Sequence, residues 1–386
     1  MQIISLVRMI FIFTVLFPTI ILLAYGLLLL YYSKKEKYSK DNELEKYQEI
    51  SILIPTHNEE KIIEKRIKNI YDTEYPFEKI QVIFIDDSSD STADIIQQYV
   101  DKHSNFQLIR FNQRMGYSVA IQAGIEASDT DIIILNEAGS FPRSDSLIKL
   151  AANFENPEIG AVTAKSVLYN TDEKIGEIES IYLRIINFIR KSESNMDSTI
   201  YIKGEATGYR RKLVSDIVAV PNTGSIDTSM AFWVRKKGYK TVYDPNVVFD
   251  EYAPTDDSGY IKQKTIRAAN IMRNLMIFKN MILNPKYGKF GLFTLTFHTL
   301  ALFIFPFIPL LFLLSLATGI LIDTTFFLRF LYLIIGALLI IFLFSKNLIL
   351  LFIELEISLL KSIYQIFVSR VGHDKIERVE STRRIA

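Results

Sequence analysis

The stretch Ile80–Ser91, with the sequence IQVIFIDDSSDS, decides the fold of this chain because an apolar run ends there in two adjacent acids. The run Ile80–Ile85 is typical of a buried strand, and it delivers Asp86 and Asp87 to a serine-rich turn before a helix begins. In open α/β sheets, ligands bind in the crevice outside the carboxyl ends of the strands. Carboxylates repel phosphate groups, so this pair suits sugar hydroxyls, the edge of a nucleobase or a metal ion.

The same alternation of short apolar runs and helical runs extends on both sides of this stretch, from Glu49 to Ile134. The connections are short, as βα units require. This pattern predicts an α/β fold with a mainly parallel sheet and helices on both faces. The predicted strands are Ser51–Ile54, Gln81–Ile85, Gln107–Arg110 and Asp131–Leu135, and the predicted helices are Asn58–Tyr71, Ser91–Tyr99 and Gly116–Ala127.

The pattern loosens after Leu135, and the chain of 386 residues has room for one medium domain plus additional elements. A glycine, Gly238, follows the last predicted helix of this region, which is the usual position of a helix-ending glycine. We predict helices at Asp145–Asn153, Glu173–Lys191 and Asp227–Lys237, and a strand at Gly160–Ser166.

Composition and missing motifs exclude several kinds of site. The chain has no cysteine, so it forms neither a disulfide framework nor a thiolate zinc site. Its four histidines are scattered, which disfavours a histidine metal cluster or a Ser-His-Asp triad. No Walker motif G-x-x-x-x-G-K-[ST] occurs and no G-x-G-x-x-G follows the first strand, which disfavours ATPases and dinucleotide-dependent dehydrogenases.

An apolar segment precedes the polar middle of the chain. Met9–Tyr32 is about as long as the ~20 residues that cross a bilayer and longer than the ~7–15-residue core of a signal peptide. We interpret it as a retained anchor. Only Arg8 precedes it, whereas four lysines follow it, and this asymmetry places the downstream domain in the cytosol. The lysines are Lys34, Lys35, Lys37 and Lys40.

The C-terminal third is apolar again. Phe290–Ile322, which contains two prolines, and Phe326–Phe344 are predicted spans, and the link Asp323–Thr325 is expected on the outer side. The third run, Leu348–Val368, contains three charged residues that are costly in hydrocarbon, so it either lies at the interface or packs as a span against protein. A basic tail favours a cytosolic C-terminus and therefore the interface; its residues are Arg370, Lys375, Arg378, Arg383 and Arg384.

Between the polar middle and these spans, Ile261–Leu283 mixes basic with apolar residues, as an amphipathic helix at a membrane interface does. A surface loop is expected before it, at Tyr252–Tyr260. The chain therefore divides into four predicted regions. These are an N-terminal transmembrane anchor (1–33), a cytosolic domain (34–258), an interfacial amphipathic helix (259–289), and a C-terminal membrane region with a cytosolic tail (290–386).

Polar residues after the first strand are the first site candidates. Pro55 and Thr56 suit a nucleobase seated against them, and Glu59 suits the base or the ribose. The alternative is helix capping by Asn58, with acids favoured in the first helical turn.

The ends of two other strands supply three more acids. Asp86 and Asp87 exceed what a turn needs, although Asp and Ser both favour turns, so we expect them to bind ligand. Glu137 follows the fourth strand and suits a ribose hydroxyl or a metal-bound water. The alternative for Glu137 is an ordinary loop.

The remaining candidates lie on two predicted helices. Asp227 suits a general base that takes a proton from an acceptor hydroxyl, and the alternative is an acid stabilised by the helix dipole. Arg267, with Gln263 one turn before it, suits the charge of a departing diphosphate. The alternative for Arg267 is contact with anionic lipid.

Together these segments resemble the family 2 glycosyltransferases, which are inverting membrane enzymes with a GT-A (Rossmann-like) nucleotide-sugar-binding domain. The resemblance covers about Glu49 to Ala386. Ser51–Glu60, SILIPTHNEE, is similar to the family's opening strand and uracil-side loop. Ile83–Thr92, IFIDDSSDST, is similar to its VDDGSTDGT element, which implies that Asp87 lies by the nucleotide.

Two further segments resemble the family at its glycines. Asn112–Gly124 is similar to the N-x-G-K-A-x-A-L-N-x-G helix, which places Gly116 at the donor. Tyr117 stands where the family usually has a phosphate-side lysine. Gly204–Arg211, GEATGYRR, looks like the acceptor-side strand with its small residues.

The motifs that the resemblance places at the chemistry are partly altered. Ser225–Tyr239 is similar to the family's TED helix, which implies that Asp227 is the base, with Ile226 in place of the glutamate. The D-x-D motif corresponds to Glu137-Ala138-Gly139. The family implies a divalent cation, Mg2+ or Mn2+, with Glu137 as the candidate ligand, but Gly139 removes the second acid.

The resemblance implies a membrane-bound enzyme that moves a sugar from a nucleotide-sugar donor, expected to be a UDP-sugar, to a hydroxyl of a lipid or lipid-linked glycan acceptor with inversion. The expected partners are this donor, the acceptor and membrane lipids, with no nucleic acid. The expected location is the cell membrane, multi-pass, with the catalytic domain in the cytosol.

Other functions stay open at this point. A processive polysaccharide synthase is one, although the Q-x-x-R-W element survives only as Gln263 and Arg267, without its tryptophan. A catalytically silent glycosyltransferase-like membrane subunit is another, suggested by Gly139 and Ile226. A nucleotidyltransferase is disfavoured because Pro55–Glu60 replaces the expected glycine-rich, arginine-containing loop.

Overall fold

The computed structural model describes residues 2–35, 44, 46–169, 174–217, 226–252 and 257–368. Several predictions lie outside these residues. They are those that rest on Lys37, Lys40, Ser225, the middle of the loop at Tyr252–Tyr260 and the basic tail from Arg370 to Arg384.

One mixed sheet organises the described part of the polar middle. Its eight strands follow the order β3-β2-β1-β4-β7-β6-β8-β5 across the sheet. The strands are β1 (Ile50–Thr56), β2 (Ile80–Asp86), β3 (Phe106–Arg110), β4 (Ile132–Leu135), β5 (Ser140–Pro142), β6 (Ile159–Leu168), β7 (Thr207–Arg210) and β8 (Lys240–Glu251).

The first half of the sheet is parallel, as the alternating pattern predicts. β1 pairs in parallel with both β2 and β4, and β2 pairs in parallel with β3. The register sets Thr56 opposite Asp86, so the polar residues that follow β1 and β2 start side by side. These strands are almost continuously apolar and buried, which is typical of strands covered by helices on both faces.

The second half of the sheet is mixed. β7 runs antiparallel to β4 and to β6, whereas β8 runs parallel to β6 and antiparallel to β5. Two antiparallel steps restore the direction, so β6 and β8 end at the same edge as β1 to β4. The sequence analysis did not predict β5 or β8, because β5 is only three residues long and β8 contains Pro245.

Helices cover both faces of the sheet and continue into the apolar regions. They are α1 (Gln2–Ser33), α2 (Ile63–Tyr71), α3 (Thr92–Val100), α4 (Tyr117–Ala127), α5 (Ser146–Ala152), α6 (Lys174–Met196), α7 (Arg211–Val214), α8 (Ile226–Lys236), α9 (Asp257–Ile277), α10 (Thr296–Phe303), α11 (Ile308–Ile322) and α12 (Thr324–Phe367). A π-helical turn at Phe290–Leu295 leads directly into α10.

The start of α2 differs from the prediction. The helix begins at Ile63 rather than Asn58, and Asn58 has a left-handed backbone with φ of 56°. Asn58 therefore does not cap α2. Its side-chain oxygen instead accepts a hydrogen bond from the Ser89 N–H (2.9 Å), and its own N–H donates to Ser88 Oγ (2.8 Å). This residue joins the loop after β1 to the loop after β2.

The end of α8 agrees with the prediction. Gly238 has φ of 92°, a conformation that glycine adopts without strain. The N–H of Tyr239 donates to the carbonyl of Val234, which satisfies one of the open carbonyls at the end of the helix.

Two helical segments of the described chain are long and apolar enough to cross a membrane by length and composition, Gln2–Ser33 and Phe290–Ile322. They pack against each other near one end. Arg8 donates to the Asp323 carboxylate from Nε (2.7 Å), and its guanidinium also lies over the ring of Phe326. The start of α1 and the α11–α12 link are therefore next to each other.

The apolar runs predicted separately at Phe326–Phe344 and Leu348–Val368 are one continuous helix, α12, of 44 residues. No proline or glycine lies between the two runs, so nothing ends the helix there. A helix of this length extends about 66 Å, roughly twice a hydrocarbon core of about 30 Å. Its second half packs on α9, where Ser362 Oγ donates to the carbonyl of Thr265 (2.9 Å).

Candidate active site

The turn after β2 is organised by Asp86, which is fully buried. One carboxylate oxygen accepts hydrogen bonds from Thr56 Oγ1 (2.6 Å) and Ser88 Oγ (2.6 Å), and the other accepts from the Ser88 N–H (3.1 Å). The first oxygen therefore joins the ends of β1 and β2, and the second stabilises the turn after β2. Among the predicted ligand-binding acids, Asp86 is the one whose contacts are those of a turn.

Asp87 fastens a distant loop to the same strand end. Its Oδ2 accepts hydrogen bonds from the N–H groups of Met115 (2.9 Å) and Gly116 (3.1 Å). Its Oδ1 lies 2.8 Å from Nδ1 of His57. Gly116 has φ of 85°, so the chain turns at a left-handed glycine into α4. Asp87 thus fixes where α4 starts.

The candidates after β1 border this turn. Thr56 is buried against Asp86, and Pro55 is half-buried at the end of the strand. The N–H of Glu59 donates to Thr92 Oγ1 (2.8 Å), which ties the loop to the start of α3. The predicted base-side residues therefore lie on one rigid pair of loops at the ligand edge of the sheet.

Gly204 stands between the start of α4 and Asp227. A Cβ placed on Gly204 would lie 2.5 Å from the hydroxyl oxygen of Tyr117 and 3.2 Å from Oδ2 of Asp227. Only glycine leaves the Tyr117 hydroxyl and the Asp227 carboxylate in these positions. Because Tyr117 directly follows Gly116, this contact links the Asp87 end of the site to the Asp227 end.

Asp227 lies in the first turn of α8 and is half-buried. The pKa of its carboxyl is raised from 3.8 to about 7, first by burial and second by the negative charge of Glu205. Glu137 acts in the same direction, whereas the Thr228 N–H and Arg267 act against it. A carboxyl with a pKa near neutrality matches what a general base requires.

Arg267 lies on α9 and faces this carboxylate cluster. Its guanidinium is 3.2 Å from Oε1 of Glu205, and the charges of Glu205 and Glu179 keep its pKa above the ordinary value although burial acts to lower it. Gln263 is half-buried one turn earlier on α9, so both side chains emerge on the same side of the helix. Arg267 thus forms an ion pair within the protein, whereas the alternative for it was contact with anionic lipid.

Sequence analysis missed Glu205. It lies in the stretch GEATGYRR, for which only the small residues were predicted to matter. An acid directly after a glycine was the feature of the sequence that could have indicated it. The carbonyl of Glu205 accepts a hydrogen bond from Asn136 Nδ2 (2.9 Å), which attaches this loop to the end of β4, directly before Glu137.

Two more buried ion pairs lie behind Arg267. Lys264 Nζ is 2.6 Å from Glu179 on α6, and Lys203 Nζ is 2.9 Å from Glu251 at the end of β8. Burial lowers the pKa of the Lys264 ammonium to about 7, although Glu179 opposes this shift. α9 is present where the amphipathic helix was predicted, but Lys264 and Arg267 meet carboxylates of the protein.

The predicted site residues therefore form a continuous series along one edge of the sheet, from Asp87 through Gly116 and Gly204 to Asp227, with Arg267 on the far side. Within the described residues, no group of three or more His, Cys, Asp or Glu side chains could hold a metal ion. The protein thus offers no preformed ligand cage there. Mg2+, however, is often held by one or two carboxylates together with substrate phosphates.

Comparisons with known proteins find a family match and a shared fold. Residues 51–218 match the family model described as Glycosyl transferase family 2. The poly-beta-1,6-N-acetyl-D-glucosamine synthase of Staphylococcus epidermidis is 26% identical over 264 residues, which are 67% of this chain and 63% of that protein. The chain thus spans less than two thirds of the length of this relative.

A second relative comes from an archaeon, and a solved structure shows the fold. The dolichyl N-acetyl-alpha-D-glucosaminyl phosphate 3-beta-D-2,3-diacetamido-2,3-dideoxy-beta-D-glucuronosyltransferase of Methanococcus voltae is 28% identical over 247 residues, 60% of this chain and 74% of that protein. A mannosyltransferase from Pyrobaculum calidifontis, solved with GDP-Man and Mn2+, matches with a TM-score of 0.76 at 20% identity, covering 95% of this chain and 100% of that one. The GT-A-like fold is therefore confirmed.

Proposed function

The chain carries a family 2 glycosyltransferase domain, and from this membership we propose that it moves a sugar from a nucleotide-sugar donor to a hydroxyl of a lipid or lipid-linked glycan, with inversion at the anomeric carbon. One observation carries the proposal. A carboxyl group with a pKa near 7, Asp227, packs closely against Gly204 at the ligand edge of the sheet, and Arg267 influences its charge.

In the proposed reaction, Asp227 in its ionised form takes the proton of the acceptor hydroxyl. The freed oxygen attacks the anomeric carbon from the side opposite the diphosphate, so the new glycosidic bond forms as the bond to the diphosphate oxygen breaks. The diphosphate leaves with the bonding electron pair, and Arg267 offsets its charge. Positioning and such electrostatic stabilisation provide most of the lowering of the barrier in displacements of this kind.

The donor is proposed to lie along the strand ends, with a uridine diphosphate as its nucleotide. Pro55, Thr56 and Glu59 are assigned to the base and ribose, together with Asp87 and Glu137 at the nucleoside. Gly116 is assigned to the donor at the start of α4. Asp86 is assigned to holding the loops after β1 and β2 in place. Gln263 is assigned to the diphosphate side because it shares a helix face with Arg267.

A divalent cation is compatible with this fold, because the Pyrobaculum calidifontis mannosyltransferase was solved with Mn2+. In this chain, Glu137-Ala138-Gly139 replaces the D-x-D motif, and the described residues contain no three-ligand group. An ion at this site would be held chiefly by the donor's phosphates, whose charge it would offset. We assign no residue of the chain as its ligand, and the steps above depend on side chains alone.

The acceptor is proposed to reach Asp227 at the surface of the cell membrane, with the catalytic domain in the cytosol and α1, α10–α11 and the first half of α12 spanning the bilayer. Thr265, two residues before Arg267 on α9, contacts Ser362 on the second half of α12. The name of the Methanococcus voltae relative includes a dolichyl-linked acceptor, which supports a lipid-linked glycan. The name of the staphylococcal relative supports the second candidate, a processive polysaccharide synthase.

A direct test measures nucleotide diphosphate release by the purified full-length protein in lipid nanodiscs, with a panel of nucleotide sugars and membrane lipids. Replacing Asp227 by Asn is expected to lower transfer about 10²–10⁴-fold, the usual contribution of a general base. The matched control is Asp94→Asn, since Asp94 is exposed and pairs with Arg110 on the surface. Turnover that survives Asp227→Asn removes this residue from the role of base.

The same assay distinguishes the alternatives. Addition of several sugars to one growing chain each time the acceptor binds would favour the polysaccharide synthase. Folded protein that turns over none of the donors, while a related transferase is active in the same nanodiscs, would favour the catalytically silent subunit.

The pKa of Asp227 also predicts opposite effects of pH on activity and stability. Activity is expected to rise as pH increases through about 7, because the base must be ionised. The free energy of unfolding is expected to fall as pH rises from about 4 to 7. In this range the folded state keeps a proton on Asp227 that the unfolded chain releases. Asp227→Asn is therefore expected to unfold at a higher temperature than the wild type at pH 8, and the difference should disappear near pH 4.

A further inference from the structure

Glu205 lies at the junction of the two side chains that the proposed reaction uses. It directly follows Gly204, the residue that faces the Asp227 carboxylate, and its own carboxylate is 3.2 Å from the Arg267 guanidinium. Glu205 is buried, and its carbonyl is held by Asn136, which also binds the fully buried Arg66. The backbone at Glu205 is therefore held in place by Asn136, at the end of β4.

The groups that face Asp227 come from every element around it. Two of them are acids that oppose its ionisation, one is a cation that favours it, and two are tyrosines. They are Glu205 before β7, Glu137 after β4, Arg267 on α9, Tyr209 on β7, whose hydroxyl donates to the Asp227 carbonyl (3.1 Å), and Tyr117 on α4. Among these charges, Glu205 has the strongest influence on the Asp227 carboxyl.

We propose that Glu205 is a positioning residue of the transfer reaction: it holds Arg267 at the crevice until the donor diphosphate takes over the guanidinium, and its charge makes Asp227 a stronger base. The inference rests on the proposed function. Glu205 itself touches no reacting atom, so its effects pass through Arg267 and Asp227.

Both effects follow from elementary electrostatics. Two nearby carboxylates in a poorly solvated site raise each other's affinity for a proton, so the ionised Asp227 beside Glu205 is more basic than it would be alone. Arginine forms strong charge-assisted pairs with carboxylates and with phosphates alike. A doubly charged diphosphate can therefore displace one carboxylate from Arg267, and Glu205 is then left facing Asp227 without its cation when the base is needed.

The test is the pH dependence of transfer in the wild type and in Glu205→Gln, which is close in shape and uncharged. The acidic limb of the kcat/KM profile is the pH range in which kcat/KM rises as Asp227 ionises. In Glu205→Gln this limb is expected to move to lower pH by about one unit, a size typical of losing one neighbouring charge. KM for the donor should fall several-fold because Arg267 is no longer occupied, and kcat at high pH should fall because Asp227 is a weaker base. A purely structural role would lower the rate without moving the limb.

Three further variants make the test decisive. Glu205→Asp keeps the charge and is expected to keep the wild-type limb. Glu205→Ser removes the charge with a smaller side chain and is expected to reproduce the shift if Glu205→Gln does not fold. Asp250→Asn breaks another arginine–carboxylate pair, with Arg143, at the far edge of the sheet, and should leave the pH profile unchanged.

Failure of this inference can be told apart from failure of the proposed function. A wild type that transfers no sugar contradicts the function. A wild type that transfers sugar, with a limb at the same pH in folded Glu205→Gln or Glu205→Ser, contradicts the role of Glu205 and leaves the function standing.

Discussion

The two halves of the sheet hold their acids in different ways. At the ends of β1 and β2, Asp86, Asp87 and Asp90 accept hydrogen bonds mainly from backbone N–H groups and hydroxyls of neighbouring loops. Around β7, β8 and α9, three buried acids form ion pairs with cations instead. These pairs are Glu179 with Lys264, Glu205 with Arg267, and Glu251 with Lys203.

This difference separates a rigid half from an electrostatically tuned half. Carboxylates bound by turn N–H groups keep loops in place and need no partner from far away in the chain. Paired charges in a poorly solvated region influence one another strongly, because the low dielectric weakens the field less. We expect substitutions in the first half to alter donor binding and those in the second half to alter stability and proton transfer.

The largest expected effect is on stability, at the buried pair of the second half. Lys264→Met leaves Glu179 buried without its cation, and removing one partner of a buried ion pair costs about 3–5 kcal/mol. The free energy of unfolding of the purified protein measures this. The double variant Lys264→Met/Glu179→Leu should recover most of the loss, because an apolar pair leaves no charge unpaired.

The exposed pair of Lys79 with Glu49 gives the matched control, and Lys79→Met should change the free energy of unfolding by about 1 kcal/mol or less. Equal losses in Lys264→Met and Lys79→Met would remove the distinction between the two halves.

The next effect is on activity, at the glycine where the halves meet. Gly204→Ala places a methyl group 2.5 Å from the Tyr117 hydroxyl oxygen, and such overpacking typically costs about 1–3 kcal/mol. Because the displaced groups are at the proposed reacting centre, kcat is expected to fall about 10–100-fold. Transfer rates of folded variants measure the effect.

Tyr117→Phe removes the hydroxyl with which the new methyl group collides. The double variant Gly204→Ala/Tyr117→Phe should therefore be more active than Gly204→Ala alone. If the losses of activity from Gly204→Ala and Tyr117→Phe simply add in the double variant, Gly204 is not needed to make space for the Tyr117 hydroxyl.

The smallest of the three effects is on donor binding, in the first half. Asp87→Asn replaces a carboxylate oxygen by an amide nitrogen that cannot accept from the Met115 and Gly116 N–H groups, and a hydrogen bond to a charged group contributes about 1.5–3 kcal/mol. The loop before α4 should loosen, so KM for the donor should rise about tenfold while kcat changes little.

Asp90→Asn is the control for this prediction. Asp90 also accepts hydrogen bonds from turn N–H and hydroxyl groups, at the start of α3, but it holds no part of the loop before α4. A rise in KM that is as large in Asp90→Asn as in Asp87→Asn would assign the effect to general loosening of the loops.

Features that depend on neighbouring residues could be predicted from the sequence, and features that depend on distant residues could not. The βα order, the buried strands and the helix end at Gly238 were predicted because each depends on residues close together in the chain. The start of α2 was predicted wrongly because Asn58 bonds to Ser88 and Ser89 on another loop. β8 was missed because its pairing with β6 outweighs the presence of Pro245.

The sequence by itself determined the strand-end acids, the apolar segments and the position of a candidate base, since local hydrophobicity and turn chemistry are written in neighbouring residues. Only the tertiary structure decided which acids hold turns and which face a reaction space. It brought Glu205, Gly204 and Arg267 around Asp227 and joined the last two apolar runs into α12. The reason is that a carboxyl group's proton affinity depends on burial and on charges from distant segments, which meet only when the chain folds.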